Sequence, residues 1–224
     1  MIGCIIQARM GSTRLPGKVM LDVESNKTVL YFVIKQLQSC KLVDKIIVAT
    51  TTLEDDKQIA NFSKHLGVDS FRGSSDNVLD RYYQCAKEYS VSTIVRIPSD
   101  KPLIDPEIVD NVVSMFMNSS YDYITNFLPN PTFPSGTEVE VFSINALKKA
   151  WEKAKIPSEK EHVTPYILKK TNKNVHGMSA DFSNEKEVRD MFKEAVTHYK
   201  KIDITNIKQV KKQEPVLRKG RKHL

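Results

Sequence analysis

Residues 7–18, QARMGSTRLPGK, place three cations, two glycines and two hydroxyl groups in one short segment. The cations are Arg9, Arg14 and Lys18. Arginine offers a planar fork of donors, lysine offers a compact charge, and glycines allow backbone N–H groups to approach phosphate oxygens closely. The spacing fits neither GxxxxGK[ST] nor GxGxxG. The segment therefore predicts a polyphosphate-binding loop of another type, with a basic surface loop as the alternative.

A second group of chemically useful residues lies at 96–106, RIPSDKPLIDP. Asp100 follows a predicted strand, where a carboxylate can hold a divalent metal beside substrate phosphates. Asp105 directly precedes Pro106, which is a favoured residue in the first turn of a helix. We therefore predict a functional role for Asp100 and a capping role for Asp105.

A third group lies at 72–83, RGSSDNVLDRYY, where polar residues precede a predicted helix. Arg72, Ser74, Asp76 and Asn77 could read a base or a ribose, and Asp76 is also a candidate cap of the helix. Asp80 and Arg81 fall within the helix and could form an exposed ion pair. His162 is isolated from other metal-ligating residues, which is more typical of a structural or surface histidine.

Apolar runs alternate with amphipathic segments along the first half of the chain, which predicts a three-layer α/β fold around a mostly parallel sheet. In such sheets ligands bind outside the carboxyl ends of the strands, so the segments 7–18 and 98–102 should meet at one edge. Strands are predicted at 2–8, 45–51, 68–71 and 93–97, and helices at 28–39, 54–66, 76–89 and 106–118.

The pattern changes after residue 119. Alternating segments at 121–125 and 138–143 predict an antiparallel pair, and the Pro- and Asn-rich segment 126–136 between them predicts a long functional loop. A capping box of Ser158 and Glu161 predicts a helix to about residue 169. A further helix is predicted at 184–199.

Composition excludes several classes of protein. The chain has 224 residues, 40% of them hydrophobic, and no run approaches the roughly 18 apolar residues of a membrane span. The N-terminal residues do not resemble a signal peptide and the three cysteines are widely spaced, so we expect reduced thiols in a cytoplasmic protein.

The net charge of +7 resides in residues 200–224, which have nine basic and two acidic residues. A basic segment of this kind is usually a solvated helix or tail, although it can bind anionic partners. It has no aromatic residue after Tyr199, so stacking on nucleic-acid bases is not expected.

Six ordered segments within residues 2–168 resemble the CMP-sugar cytidylyltransferases, which include the CMP-KDO and CMP-acylneuraminate synthetases. The nearest branch is that of spore coat polysaccharide biosynthesis protein F. The resemblance implies a Rossmann-like nucleotidyltransferase fold of the nucleotide-diphospho-sugar transferase type, a homodimer, CTP and Mg²⁺. The segments are IIQARMGSTRLPGK, VATTTLEDD, FRGSSDNVLDRYYQCAKEY, VRIPSDKPLIDPEIVD, FPSGTEVEVFS and SEKEHVTPYI.

The resemblance also implies roles for individual residues. Arg14, Lys18 and Asp100 are the expected catalytic residues, and Asp100 is the first expected metal ligand. Acceptor binding is expected from Lys101, Glu138, Glu140 and His162. Nucleotide binding is expected from Gln7, Ala8, Arg9, Gly11, Ser12, Arg14, Lys18, Arg72, Gly73, Ser74, Asn77 and Ser99.

Two segments depart from the family pattern. The chain has PSDKPLID where the family often has TGDCPLID, which places Lys101 beside the expected metal ligand. The family's late R-x-TVD-x-x-ED segment is replaced by GMSADFSNEKEV at 177–188. Asp181 takes the place of its aspartate and is the second expected metal ligand.

These observations predict a single nucleotidyltransferase domain at 1–199, with an acceptor and dimer extension at about 120–170 and a basic helix or tail at 200–224. The expected reaction transfers CMP from CTP to a sugar, sugar acid, phosphonate or phosphate. Two alternatives stay open at this stage. They are a nucleotide-sugar-dependent glycosyltransferase and a non-catalytic binder of nucleotides or nucleic acid.

Overall fold

The computed structural model describes residues 1–12, 15–128, 133–170 and 175–177. Arg14, Asp181, the predicted helix 184–199 and the basic segment 200–224 lie outside these residues. The predictions for them, and for the domain limits, therefore stay predictions.

The described residues form a three-layer α/β fold, as the sequence predicts. The strands are β1 (Ile2–Gln7), β2 (Asp22–Glu24), β3 (Lys27–Thr28), β4 (Lys45–Thr51), β5 (Asp69–Gly73), β6 (Thr93–Pro98), β7 (Tyr123–Thr125), β8 (Glu140–Ser143) and β9 (Val175–Gly177). The helices are α1 (Val29–Leu37), α2 (Lys57–His65), α3 (Val78–Glu88), α4 (Pro106–Met117), α5 (Ile144–Lys153), α6 (Pro157–His162) and α7 (Pro165–Lys170).

Seven strands form one sheet in the order β5-β4-β1-β6-β8-β7-β9. The strands β5, β4, β1 and β6 are parallel, and the crossover helices that connect them cover the buried apolar runs of β4, β1 and β6. The chain first moves from β1 outward through β4 to β5, and then returns to place β6 on the other side of β1. This change of direction opens a crevice outside the carboxyl ends of β1 and β6, where Gln7 and Pro98 are aligned.

Helices cover both faces of the sheet. Buried residues of α1, α2 and α4 pack with one face, and buried residues of α3, α5 and α7 pack with the other. All three cysteines are free thiols, as expected, and Cys4 and Cys85 are buried in the two cores. None of the helices in the described ranges has the length and apolar character of a membrane span.

The predicted antiparallel pair is present as β7 and β8, and β8 also pairs antiparallel with β6. The pair therefore extends the main sheet. A separate antiparallel hairpin of β2 and β3 was not predicted. The strands of this hairpin have only three and two residues, and β2 is exposed throughout, so it leaves no alternating pattern in the sequence.

Several predicted element boundaries need correction. The helix predicted at 76–89 begins at Val78, and its cap is Asn77, which accepts the N–H of Asp80 at 3.0 Å. Asp105 caps α4 as predicted, accepting the N–H of Glu107 at 2.8 Å. The helix predicted at 54–66 opens with a 3₁₀ turn over Glu54–Asp56 before α2 begins.

The helix predicted from Ser158 to about residue 169 is wrong, because the chain forms two short helices there. The first, α6, has no side-chain cap. Val163 then adopts φ 69° and ψ −57°, and the N–H of Thr164 donates to the carbonyl of His162 at 2.8 Å. This is a γ-turn with positive φ. Pro165 explains the break, since the residue before a proline is disfavoured in helical conformation.

Candidate active site

The segment after β1 folds back on the carbonyl of Met10. That oxygen accepts the N–H groups of Ser12 and Gly17, each at 2.8 Å. Gly17 has φ 72°, a conformation that suits glycine because it has no Cβ. These bonds close the loop and place Lys18 at the start of a 3₁₀ turn, whose Val19 is anchored in the core.

A buried carboxylate anchors this loop to the end of β4. Asp56 is 1% exposed, and it accepts the Met10 N–H at 2.6 Å and the Thr51 hydroxyl. The hydroxyl of Thr51 in turn accepts the N–H of Leu53 at 3.1 Å. Asp56 was not among the predicted site residues. The acidic run 54–56 directly after a strand was the available signal, but it does not show which of its three acids turns inward.

Lys18 and Asp100 meet across the crevice between β1 and β6. The Lys18 Nζ donates to Asp100 Oδ2, so the phosphate-loop candidate and the metal-ligand candidate form one ion pair. Partial burial raises the pKa of Asp100, but the hydrogen bond and charge of Lys18 outweigh it and hold the pKa below its ordinary value. Asp100 is therefore an ionised carboxylate at neutral pH, and 41% of its side chain is exposed.

The predicted nucleotide-reading residues at the end of β5 and just after it hold loops together. Arg72 donates to the backbone carbonyls of Thr51, Thr52 and Leu53 at 2.9–3.1 Å. Ser74 accepts the N–H of Asn77 at 3.0 Å. Within the described residues, these side chains shape the edge of the crevice by fixing the backbone.

Arg81 is buried in α3, 1% exposed, and does not form the exposed ion pair with Asp80 that we considered. Its Nη1 donates to the carbonyl of Ser74 at 2.7 Å, while its Nε has no hydrogen-bond partner in the described part of the chain. Burial lowers the pKa of this guanidinium, and the nearby charge of Arg9 lowers it further. Asp80 instead accepts the indole N–H of Trp151 at 2.8 Å.

Lys101 contacts the base of the predicted acceptor loop. Its Nζ donates to Glu138 Oε2, which also accepts the Gly136 N–H at 2.7 Å. Burial raises the pKa of Glu138, but these donors outweigh burial and lower the pKa overall. Asn126, 1% exposed, spans the base of the same loop with 2.8 Å bonds to the Thr137 carbonyl and the Val139 N–H.

Glu140, predicted to bind the acceptor, lies in a buried network. It forms an ion pair with Arg96 and accepts the Tyr123 hydroxyl at 2.7 Å. The charge of Glu140 outweighs the effect of burial on Arg96, so the pKa of the guanidinium is raised. A second nitrogen of Arg96 donates to Gln7 Oε1 at 3.1 Å.

A cavity of about 410 Å³ joins the first loop to the region after α5. It brings Arg9, a predicted nucleotide-binding residue, next to the segment expected to contact the acceptor. Arg9, Lys155 and Lys160 supply three positive charges and form no ion pair with another described residue. The lining residues are Arg9, Ser75, Asp76, Val78, Lys155, Pro157, Lys160 and Glu161.

The remaining predicted residues are placed as follows. Ala8 and Ser99 are buried, so they can offer a ligand only backbone groups. A Cβ added to Gly11 would meet nothing within 4 Å, whereas one added to Gly73 would lie 2.6 Å from Phe71. His162 is exposed at the end of α6. The roles predicted for these residues stay predictions.

The residues at the crevice suit Mg²⁺ chemically. Asp100 supplies an ionised, partly exposed oxygen ligand, and Mg²⁺ sites commonly use one or two carboxylates with substrate phosphates and water. No group of three or more His, Cys, Asp or Glu residues suited to a metal exists in the ranges that the structure describes.

The fold, with its crevice, its cationic loop and Asp100 just after β6, is that of a nucleotidyltransferase. A family model described as cytidylyltransferase matches residues 3–223. The chain belongs to the cytidylyltransferase family, which confirms the resemblance noted in the sequence.

Individual relatives support this placement. Spore coat polysaccharide biosynthesis protein SpsF of Bacillus subtilis is 36% identical over 73% of this chain and 68% of its own length. The 3-deoxy-manno-octulosonate cytidylyltransferase of Trichlorobacter lovleyi is 34% identical over 53% of this chain and 46% of its own. A cytidylyltransferase structure from Leptospira borgpetersenii covers 99% of both chains with a TM-score of 0.78 and 31% identity.

Proposed function

We propose that this protein transfers CMP from CTP to an oxygen of a small acceptor and releases pyrophosphate. The acceptor is a sugar, a sugar acid, or a phosphonate or phosphate, and the product serves surface polysaccharide or glycoconjugate biosynthesis. The main supporting observation is the meeting of Lys18 with Asp100 across the crevice between β1 and β6. The names of the SpsF and octulosonate relatives support the cytidylyl and polysaccharide parts of the proposal.

In the proposed reaction an acceptor oxygen attacks the α-phosphorus of CTP. A new P–O bond forms there, the bond from the α-phosphorus to the bridging oxygen breaks, and that oxygen leaves with pyrophosphate. A phosphate or phosphonate oxygen attacks as the anion, whereas a sugar hydroxyl releases its proton to solvent. Lys18 and Arg14 neutralise the β- and γ-phosphates, which lowers the cost of charge developing on the leaving group. Arg9 and the loop backbone orient the nucleotide.

Asp100 is the residue that would hold Mg²⁺, with Asp181 as the second predicted ligand. When bound, the ion would neutralise phosphate oxygens and polarise the α-phosphoryl group. Asp100 can give up its contact with Lys18 when it binds the ion. Because the pair is partly exposed, this exchange costs little, and it frees the lysine for the triphosphate.

The acceptor would bind beside Lys101 and the loop 126–137. Lys101 and Glu138 offer both signs of charge there, so an anionic acceptor can displace Glu138 from the lysine, and an aminated acceptor can bind the carboxylate. His162 and the segment around it remain candidates on the side of the 410 Å³ cavity. We propose a homodimer as the functional form, with a solution mass of twice 25.5 kDa by light scattering.

The test is pyrophosphate release with Mg²⁺, in which CTP, ATP, GTP and UTP are each paired with sugar acids, amino sugars, sugar phosphates and 2-aminoethylphosphonate. We expect release with CTP and one acceptor class. Asp100→Asn should abolish it. Asp105→Asn is the matched control, because it makes the same change five residues away and asparagine caps helices as well as aspartate does.

Other results would assign a different function. Sugar transfer from a nucleotide sugar, without pyrophosphate release from any triphosphate, would establish a glycosyltransferase. Salt-sensitive nucleic-acid binding that deletion of 200–224 abolishes, with no turnover, would establish a binding protein. Absence of both CTP turnover and CTP binding would remove the cytidylyltransferase proposal.

A further inference from the structure

Gln7 occupies the central position of the crevice. It is the last residue of β1 and is aligned with Pro98, the last residue of β6. Its carbonyl accepts the N–H of Ser99 at 3.2 Å, which ties it to the segment that presents Asp100. Gln7 is half-buried, and its backbone lies beside the segment that would help to hold the phosphates.

The chemistry of Arg96 fixes which way the Gln7 amide faces. A guanidinium has only donors, so the group it contacts at 3.1 Å must be the amide oxygen. The amide nitrogen of Gln7 must then face the other way. This nitrogen has no hydrogen-bond partner within the described ranges, so both of its N–H bonds are available to a ligand.

Arg96 is itself held firmly. It is paired with Glu140, whose other oxygen accepts the Tyr123 hydroxyl, and these groups are buried between β6, β8 and β7. Its guanidinium also lies over the ring of Tyr82 at 5.9 Å. The buried chain from Tyr123 through Glu140 and Arg96 to Gln7 therefore presents one amide donor in a set orientation.

We infer that Gln7 is a catalytic residue whose amide nitrogen donates to a non-bridging oxygen of the transferred phosphoryl group. This inference rests on the proposed cytidylyl transfer. Gln7 donates a hydrogen bond and neither gains nor loses a proton. Because the donor is oriented before the substrate binds, it stabilises charge at the α-phosphorus without reorganisation. Arg96 and Glu140 act through Gln7 and are positioning residues.

The experiment compares Gln7→Glu and Gln7→Met with wild type in pyrophosphate release, separating kcat from KM for CTP. Glutamate keeps an oxygen for Arg96 but replaces the outward donor with a negative acceptor, and methionine keeps the length without the donor. We expect kcat to fall about a hundredfold in both, with KM for CTP changed less than threefold in Gln7→Met and raised in Gln7→Glu, because the carboxylate also repels the triphosphate. The control is Gln36→Glu, the same change in the last turn of α1, where the effect should be absent.

Thermal denaturation accompanies the kinetics, and we expect Gln7→Glu to melt like wild type because its contact with Arg96 is kept. Unchanged kcat in Gln7→Glu would overturn the inference. A change confined to the preference for CTP over UTP would also overturn it, because Gln7 would then read the base. Wild-type protein without CTP turnover would refute the proposed function and this inference together, whereas turnover that both variants retain refutes only the role of Gln7.

Discussion

Substitution of Asp56 by alanine tests whether a buried carboxylate positions the cationic loop. The change leaves the Met10 N–H and the Thr51 hydroxyl without their acceptor, since both now donate to Asp56. An unpaired buried donor costs about 1–3 kcal/mol, so we expect a loss of about 2–5 kcal/mol in the free energy of unfolding. For a chain of this size that loss lowers the melting temperature by roughly 10 °C.

The same substitution should also weaken function, because Met10 organises the loop. Its carbonyl holds the N–H groups of Ser12 and Gly17, and a shift of Met10 displaces Arg9 and Lys18 with it. We expect kcat/KM for CTP to fall about tenfold or more, corresponding to about 1.4 kcal/mol of lost positioning. The assays are thermal denaturation and pyrophosphate release.

Two variants make this prediction decisive. Asp56→Asn keeps an oxygen for the Met10 N–H and a donor for the Thr51 oxygen, so it should recover most of the stability and activity. Asp55→Ala removes an exposed neighbour and should change the free energy of unfolding by less than about 0.5 kcal/mol. If Asp56→Ala melts like Asp55→Ala, or if the asparagine variant is as damaged as the alanine variant, Asp56 does not hold the loop.

Three further measurements test other parts of the site. Lys18→Met should lower kcat/KM for CTP about ten- to a hundredfold with little change in melting temperature. Lys35→Met, which replaces an exposed lysine of α1, should change neither quantity. Equal activities of the two variants would refute a phosphate role for Lys18. Glu138 has a lowered pKa, so its stabilising contribution is complete above its ordinary value of 4.5 and is lost as pH falls through the lower folded value. In Lys101→Met this loss of stability should begin at higher pH. If a carbon-13 titration gives Glu138 the same pKa in Lys101→Met as in wild type, Lys101 and Glu138 do not form the ion pair. Burial raises the pKa of Cys85 to about 12, so alkylation at pH 8 should be more than a hundredfold slower in native than in unfolded protein, as mass spectrometry of labelled peptides would show.

The sequence predicts the centre of the sheet well because β1, β4 and β6 consist mostly of buried residues. Residues 46–49 are an uninterrupted apolar run, and the strand predicted at 45–51 has the same bounds as β4. The same reasoning fails at Val163, since a β-branched residue at positive φ is disfavoured by its own side chain and is held there by tertiary packing. The Thr164–Pro165 sequence was the one signal that the predicted helix is interrupted there.

In the candidate site, too, some features could be predicted from the sequence and others could not. Residue types correctly predict that the first loop and the segment after β6 meet at one edge, because strand order and the rule for carboxyl ends determine it. The engagement of Arg72 with three backbone carbonyls could not be predicted, nor could the burial of Arg81 or Glu140. Periodicity shows which face a residue occupies, but its partner comes from an element distant in sequence.

Burial separates two kinds of ion pair around the crevice. Lys18 and Asp100 are 29% and 41% exposed, so water compensates each charge when they part, and such a pair is worth about 0–1 kcal/mol. Arg96 and Glu140 are 13% and 5% exposed, and separating them would leave buried charge uncompensated, at a cost of about 3–5 kcal/mol. Substrate can therefore recruit Lys18 and Asp100 from each other at little cost, while the buried pair stays fixed. The exchange of partners and the rigid orientation of Gln7 are consequences of the same difference in exposure.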